Sequence, residues 1–273
     1  MRGDVPDPIG SEPITDPTTN ASTMRTAPRG DPPGAHSPDG VGRVVCVLAK
    51  APVAGRVKTR LTPPATAAGA AGVAAAALLD TLDAALAVEG AEVLVTLEGE
   101  IADAESADEL ARTLEATTVV GQRGDSLGAR IAAAHEDLAR LFPRAASVTI
   151  AMDTPQVDAR LLGDALDLVE GDGHPADAAL GPALDGGWWA LALTDPRHAG
   201  AIADVPTSRD DTGRRTLEAL RASGLDPARV LELPPLSDVD TADDAAAVSR
   251  LVPAGRFARA VHDLILVPGG LPR

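Results

Sequence analysis

The chain has no tyrosine, two phenylalanines and two tryptophans, so aromatic residues make up 1% of its 273 positions. A core built almost without rings must be assembled from Ala, Val, Leu and Ile. The 45% hydrophobic content supplies enough of these for one medium domain plus tails. There is one cysteine, Cys46, which excludes an intrachain disulfide and a cysteine metal cluster. It sits inside the run RVVCVLA and reads as a small core residue. No uninterrupted apolar run reaches the ~18 residues of a membrane span, and the first residues lack the apolar segment of a signal peptide. The expectation is a cytoplasmic protein with no membrane partner. Positive charge is also scarce. A formal net charge of -16 argues against a nucleic-acid partner. The five histidines show no ligand spacing, and G-x-S-x-G is missing.

Lysine is nearly absent as well. Of 24 basic residues only two are lysines, Lys50 and Lys58, and both fall in AKAPVAGRVKTRL, residues 49–61. Lysine is a compact point charge and arginine a planar fork, so the two are not interchangeable. In so acidic a chain, any phosphate site must be a local positive island. This loop, with Lys50, Arg56, Lys58 and Arg60 and no acid, is one. Pro52 shapes its turn, and Gly55 allows backbone N–H groups close to a ligand. It is neither a G-x-x-x-x-G-K-[ST] loop nor G-x-G-x-x-G. The features describe a phosphate cradle, with a solvated basic loop as the alternative.

Residues 1–42 are rich in Pro, Gly, Ser, Thr and Asp without hydrophobic period, and the expectation is a disordered tail. From 43 to 252 the period alternates. Strands are expected at 43–49, 91–99, 117–122, 146–153, 176–183, 188–194 and 229–234. Helices are expected at 65–88, 102–116, 126–141, 158–170, 212–223 and 241–251. This predicts a single α/β domain with a mostly parallel sheet and helices on both faces. Residues 253–273 form a C-terminal extension whose apolar patch, Val261 and Leu264 to Val267, packs against the rest. Ligands of such sheets bind beyond the carboxyl ends of the strands.

The basic loop follows the first strand and so lies at that edge. Asp153 ends a later strand at the same edge. A carboxylate facing phosphates needs a cation between them, and Mg²⁺ bridging one or two carboxylates to phosphates meets that need; capping of the next helix is the other reading. Asp185 sits in LDGGWW, which is also an ordinary hairpin turn. Alternation sends Trp188 and Trp189 to opposite faces, one into the core and one free to wall a base or sugar. Asp238 and Asp240 precede a helix, as a metal ligand, a sugar-hydroxyl acceptor or caps. Gln122, Arg123 and Gly124 follow a strand, as nucleoside contacts or as a plain connection.

Taken together, these pieces resemble the small bacterial GT-A-like proteins known as glycosyltransferase or radical-SAM/selenodomain-associated transferase, in the nucleotide-diphospho-sugar transferase superfamily. The pattern K-x-P-x-x-G-x-x-K-T-R-L is met by Lys50, Pro52, Gly55, Lys58, Thr59, Arg60 and Leu61. Gln122, Asp125, Leu127, Gly128 and Arg130 resemble Q-x-x-G-x-L-G-x-R with altered spacing. Asp153 and Pro155 resemble a G-x-D-x-P strand end. Gly181, Pro182, Asp185, Gly186, Gly187, Trp188 and Trp189 match G-P-x-x-D-G-G followed by two aromatics. Leu236, Asp238, Val239, Asp240, Thr241 and Asp244 match L-x-D-V-D-T-x-x-D. The sequence departs at Ala151-Met152, where Gly-Ser or Gly-Thr is usual, and at VPTSRDDTG, 205–213, where Pro-Trp-Ser is usual.

The resemblance implies a GT-A-like fold and a nucleotide-dependent transferase. Its catalytic residues would be Lys58, Asp153 and Asp185. Lys50, Pro52, Gly55, Arg56, Lys58, Arg60, Gln122 and Gly124 would hold the nucleotide phosphates. Gly186, Gly187, Trp188 and Asp238 would form the sugar or acceptor pocket. Mg²⁺ or Mn²⁺ would sit on Asp153, with Asp185 or Asp240. The substrates expected are a nucleotide-sugar or a nucleoside triphosphate and a small-molecule acceptor. Three readings stay open: glycosyl transfer, nucleotidyl transfer with release of pyrophosphate, and a catalytically silent nucleotide-binding protein.

Overall fold

The first strand, β1 (Arg43–Lys50), lies between β2 (Ala91–Glu98) and β4 (Ala146–Ala151) and is parallel to both. Its side chains alternate between two covered faces. Val45, Val47 and Ala49 join one apolar cluster; Val44 and Cys46 join another. This is why its sequence is an unbroken apolar run rather than an alternating one. The remaining strands are β3 (Thr118–Gly121), β5 (Ala178–Pro182), β6 (Trp188–Leu193) and β7 (Val230–Glu232). The sheet order is β3-β2-β1-β4-β6-β5-β7, and among the described residues β6 alone runs against the others. The computed structural model describes Met1 and residues 42–266, apart from Asp172 and His174. Residues 2–41 of the tail expected at 1–42, and residues 267–273 of the C-terminal extension, lie outside them.

The helices are α1 (Ala67–Leu86), α2 (Ala107–Leu114), α3 (Leu127–Leu141), α4 (Ala159–Asp167), α5 (Thr212–Ala222), α6 (Ala242–Leu251) and α7 (Arg256–Leu266). Four of these helices, α1, α3, α4 and α6, start with side-chain caps. Thr66, Ser126 and Asp158 each accept a hydrogen bond from the backbone three residues on. Thr241 and Asp244 form a reciprocal capping box. Buried residues of α1, α2 and α4 pack on one face of the sheet and those of α3 and α5 on the other.

Three expectations are corrected. The helix expected at 102–116 is broken: a 3₁₀ turn, Ile101–Asp103, precedes α2, and Ser106 between them has φ 58. The strand expected at 146–153 stops at Ala151, so Asp153 stands in the loop beyond it. The chain also has a helix, α1, long and apolar enough to cross a membrane, although the sequence shows no unbroken run of that length. In that helix 67% of the apolar window is buried inside the fold, on the sheet and against α7 through Phe257 and Val261.

Two titratable side chains are sealed between the sheet and α3. Burial pushes the Cys46 thiol up to about 12, which leaves it inert as a nucleophile at neutral pH. Burial pushes His135 down to about 4, against the hydrogen bond it gives Ile131. Its Nδ1 donates to the Ile131 carbonyl and its Nε2 accepts from Thr149, so the ring is neutral. An unfolded histidine binds a proton near pH 6.5. The unfolded chain therefore takes up the proton first, and stability falls as pH drops from about 6.5 towards 4. The loss from this ring should reach about 2 kcal/mol by pH 5. Urea unfolding at pH 7 and 5 measures it, and His135→Gln should flatten the difference.

Candidate functional site

The cationic loop leaves β1 at the carboxyl edge of the sheet. Its turn needs Gly55, which has φ +76 with open space where a Cβ would be, so the glycine serves the backbone angle rather than a close approach. Lys58 has φ 45 and ψ 39, a left-handed conformation seldom taken by lysine, and starts the 3₁₀ turn Thr59–Leu61. Leu61, 1% exposed, anchors that turn in the core. The Lys58 side chain runs inward, 11% exposed, and donates to Asp153 Oδ2 at 2.9 Å. Asp240 Oδ1 is 3.6 Å from the same Nζ, and Arg60 donates to Asp240 Oδ2 at 2.8 Å.

The acids reach this edge on separate elements. Asp153 follows β4. Asp185 lies in the turn between β5 and β6, where its Oδ1 accepts from Gly187 N at 2.7 Å. Asp238 and Asp240 follow β7, and their segment is tied to the β4 end by Val239 N donating to Asp153 O at 3.0 Å. It is tied to β5 by Leu236 N donating to Pro182 O at 3.1 Å. Burial, then the charges of Asp185, Asp240 and Asp153, push Asp238 up to about 6.

Two adjoining cavities open here. One, of about 530 Å³, is lined by Asp153, Asp185, Asp238, Asp240, Gly187 and Trp188, and closed by the loop at Thr207–Asp210. The other, of about 410 Å³, is lined by Lys50, Arg56, Lys58, Gln122, Glu98 and Arg130. Leu127, Arg60, Asp153 and Asp240 line both. The cleft is thus mostly acidic on one side and richer in cations on the other, with the Lys58–Asp153 pair at the border. Trp189 is the core member of the tryptophan pair, 1% exposed, with its Nε1 donating to Pro234 O; Trp188 faces the acidic cavity.

Several predicted contacts stand elsewhere. Pro52, Gly55, Gly124 and Gly186 line neither cavity. Pro52 is buried and its carbonyl accepts from Glu105 N. Gly124, with φ +119, packs on the first turn of α3. Arg123 is turned away to Asp137. Gln122 reaches the basic cavity, but its amide nitrogen is spent on the carbonyls of Ala49 and Thr96, where it clamps β1 to β2.

Other residues were not singled out from the sequence. Glu98 is the register partner of Lys50 across β1 and β2. Burial opposes its ionisation, yet the hydrogen bond from Arg130 and the charges of Lys50 and Arg130 hold it below the usual carboxylate range. Its place at a strand end was the available signal. Thr207 and Arg209, in the segment 205–213 noted only as a departure, carried no signal of their own, because that loop has no period.

A hard divalent cation suits these oxygens. Asp238 is raised first by burial and then by its neighbours Asp185, Asp240 and Asp153, so the acids stand close enough to feel one another. Among the described residues no group of three or more acids, histidines or cysteines stands close enough to cage a metal, so Asp153, Asp185 and Asp240 are not a ready three-ligand site. One or two of them plus phosphate oxygens is the arrangement that fits.

Residues 81–209 match a family model described as "Uncharacterized protein conserved in bacteria (DUF2064)". No curated protein matches the sequence. A solved structure from Desulfovibrio desulfuricans G20, provisionally assigned as a nucleotide-diphospho-sugar transferase, is 26% identical with a TM-score of 0.66, covering 81% of this chain and 94% of that one. A cytidylyltransferase from Leptospira borgpetersenii serovar Hardjo-bovis (strain JB197) is 11% identical with a TM-score of 0.48, covering 85% of this chain and 99% of that one. Residues 81–209 are thus similar to the DUF2064 family model, and the α/β fold is similar to that of the Desulfovibrio structure, in keeping with the resemblance drawn from the motifs.

Proposed function

We propose that the chain is a nucleotide-dependent transferase that moves a glycosyl group from a nucleotide-diphospho-sugar to a small-molecule acceptor. The observation that carries this is the meeting of Lys58 with Asp153 and Asp240 at the border of a basic and an acidic cavity. In this reading the basic cavity takes the nucleoside diphosphate and the acidic cavity takes sugar and acceptor. The bond from the anomeric carbon to the diphosphate oxygen breaks, and its electron pair leaves with the nucleotide. The acceptor heteroatom bonds to that carbon and gives its proton to Asp185 or Asp238. Lys58 and Arg60 neutralise charge growing on the leaving group. Mg²⁺ or Mn²⁺ on Asp153 and Asp240 would supply further charge there when bound.

A second reading, nucleotidyl transfer, is favoured by the cations Lys50, Arg56 and Arg130 in the basic cavity in addition to Lys58 and Arg60. More cations suit a triphosphate. Product analysis separates the two. With Mg²⁺ and a panel of nucleotide-sugars and acceptors, the first reading expects a nucleoside diphosphate; release of pyrophosphate from a triphosphate would replace it with the second. Binding without either product would leave a silent nucleotide-binding protein.

A further inference from the structure

Asp153 and Asp240 are the carboxylates best placed to hold a divalent ion, yet one oxygen of Asp153 and both of Asp240 already face a cation. Lys58 Nζ stands 2.9 Å from Asp153 Oδ2 and 3.6 Å from Asp240 Oδ1. Arg60 Nη1 takes the other oxygen of Asp240 at 2.8 Å. The two cations are not equivalent. The Arg60 side chain is 74% exposed and pairs from the solvent side, whereas Lys58 is 11% exposed and enters from below. The left-handed backbone of Lys58 and the buried anchor Leu61 fix that approach.

The ammonium occupies one oxygen of Asp153, cancels part of the negative charge that would attract a metal, and repels an incoming cation. We propose that Lys58 is an internal counter-ion that shuts the divalent-metal site until a polyphosphate draws its ammonium away, so that metal joins the protein with the nucleotide and not before it. The inference rests on the loop being a phosphate site. A polyphosphate offers the lysine several negative oxygens in exchange for the two carboxylates, whereas a free metal ion offers only repulsion. The ligand that opens the site must therefore carry at least a diphosphate's charge, and a neutral sugar or nucleoside does not suffice. Lysine suits the task because its single charge sits on a flexible stem that can swing between partners.

The test is titration of the full chain with Mn²⁺ in the absence of any nucleotide, free Mn²⁺ being read by electron paramagnetic resonance. Lys58→Gln is expected to bind Mn²⁺ about tenfold or more tightly than the wild type. Arg60→Gln should change affinity far less, because Asp153 stays closed. Equal affinity in wild type and Lys58→Gln overturns the proposal, as does metal binding by neither. These arms contain no nucleotide, so they stand apart from the functional reading, whose failure would show as no nucleotide binding. Should Lys58→Gln fail to fold by circular dichroism, the wild type still decides. The chain has only two lysines, so ¹³C-lysine labelling gives two side-chain resonances. That of Lys58 should move with inorganic tripolyphosphate alone and stay still with millimolar Mg²⁺ alone. A shift with Mg²⁺ alone, or none with tripolyphosphate, overturns the proposal.

Discussion

Turnover of the Lys58→Ala protein is expected to fall about 100-fold or more, and that of Asp153→Ala likewise. Lys58 is the cation most deeply set at the border of the two cavities, and its ammonium lies 2.9 Å from Asp153 and 3.6 Å from Asp240, the acids that the proposed reading turns toward the leaving phosphates. Without it, charge developing on the leaving group loses a preorganised partner where reorganising water is expensive. Asp153 would also lose its charge partner, leaving Arg60 as the cation on Asp240. Arg60, 74% exposed, is the outer partner, and its removal should cost less. Lys58→Arg should restore only part of the loss, because a planar fork does not replace a point charge in a side chain 11% exposed. Steady-state kinetics on the substrate identified by product analysis reads the effect, chiefly in kcat. Activity like that of the wild type in Lys58→Ala or Asp153→Ala removes the assigned role.

The largest effect on stability is expected at Gly186. It has φ +93, and a Cβ there would lie 2.0 Å from the carbonyl oxygen of Asp210. The turn between β5 and β6 is pressed against the loop before α5, and Gly213 N donates back to Gly186 O at 2.8 Å. Gly213 is the other half of the contact, since its own Cβ would lie 2.3 Å from Gly187 O. Gly186→Ala therefore adds a disfavoured backbone angle to a clash between two main chains. It should destabilise the fold by about 3 kcal/mol or more, lowering Tm by about 10 °C. Gly213→Ala meets the clash without the angle and should cost about 2 kcal/mol. Gly163, in α4 with open space around it, is the control: Gly163→Ala should stabilise slightly, by about 0.5–1 kcal/mol. Thermal unfolding of the three variants tests the ranking. The functional consequence is shared by the first two. Asp185 is placed by this interlocked turn, and the loop that closes the acidic cavity rests on it.

The interlock also marks where sequence reading stops. LDGGWW reads as a turn with two glycines, but the partner that requires Gly186 is 24 residues further on, at Asp210. Local pattern carries no sign of such a contact. The central strands were legible for the opposite reason: a strand covered on both faces must be apolar throughout, as RVVCVLA is. Helix starts were legible where a cap is chemically distinct, as at Thr241. The helix expected at 102–116 failed because Ser106 turns left-handed, an angle that its sequence does not announce. In the candidate site, the meeting of Lys58, Asp153 and Asp240 was legible because each follows a strand at one edge, and that edge is shared. Gln122 could be found by the same rule, although its amide clamps two strands. Glu98 obeyed the rule and was passed over, since one acid among 40 acidic residues carries little weight without a partner in view.

The central claim is that a cationic turn and a pair of carboxylates grip a polyphosphate together, with a divalent ion between them. Isothermal titration of the full chain with nucleoside diphosphates, triphosphates and nucleotide-sugars, each with and without Mg²⁺, tests it most directly. Binding that tightens about tenfold or more with Mg²⁺, and loses that gain in Asp153→Asn, is the predicted result. No heat from any nucleotide, or an affinity indifferent to both Mg²⁺ and Asp153, would contradict it.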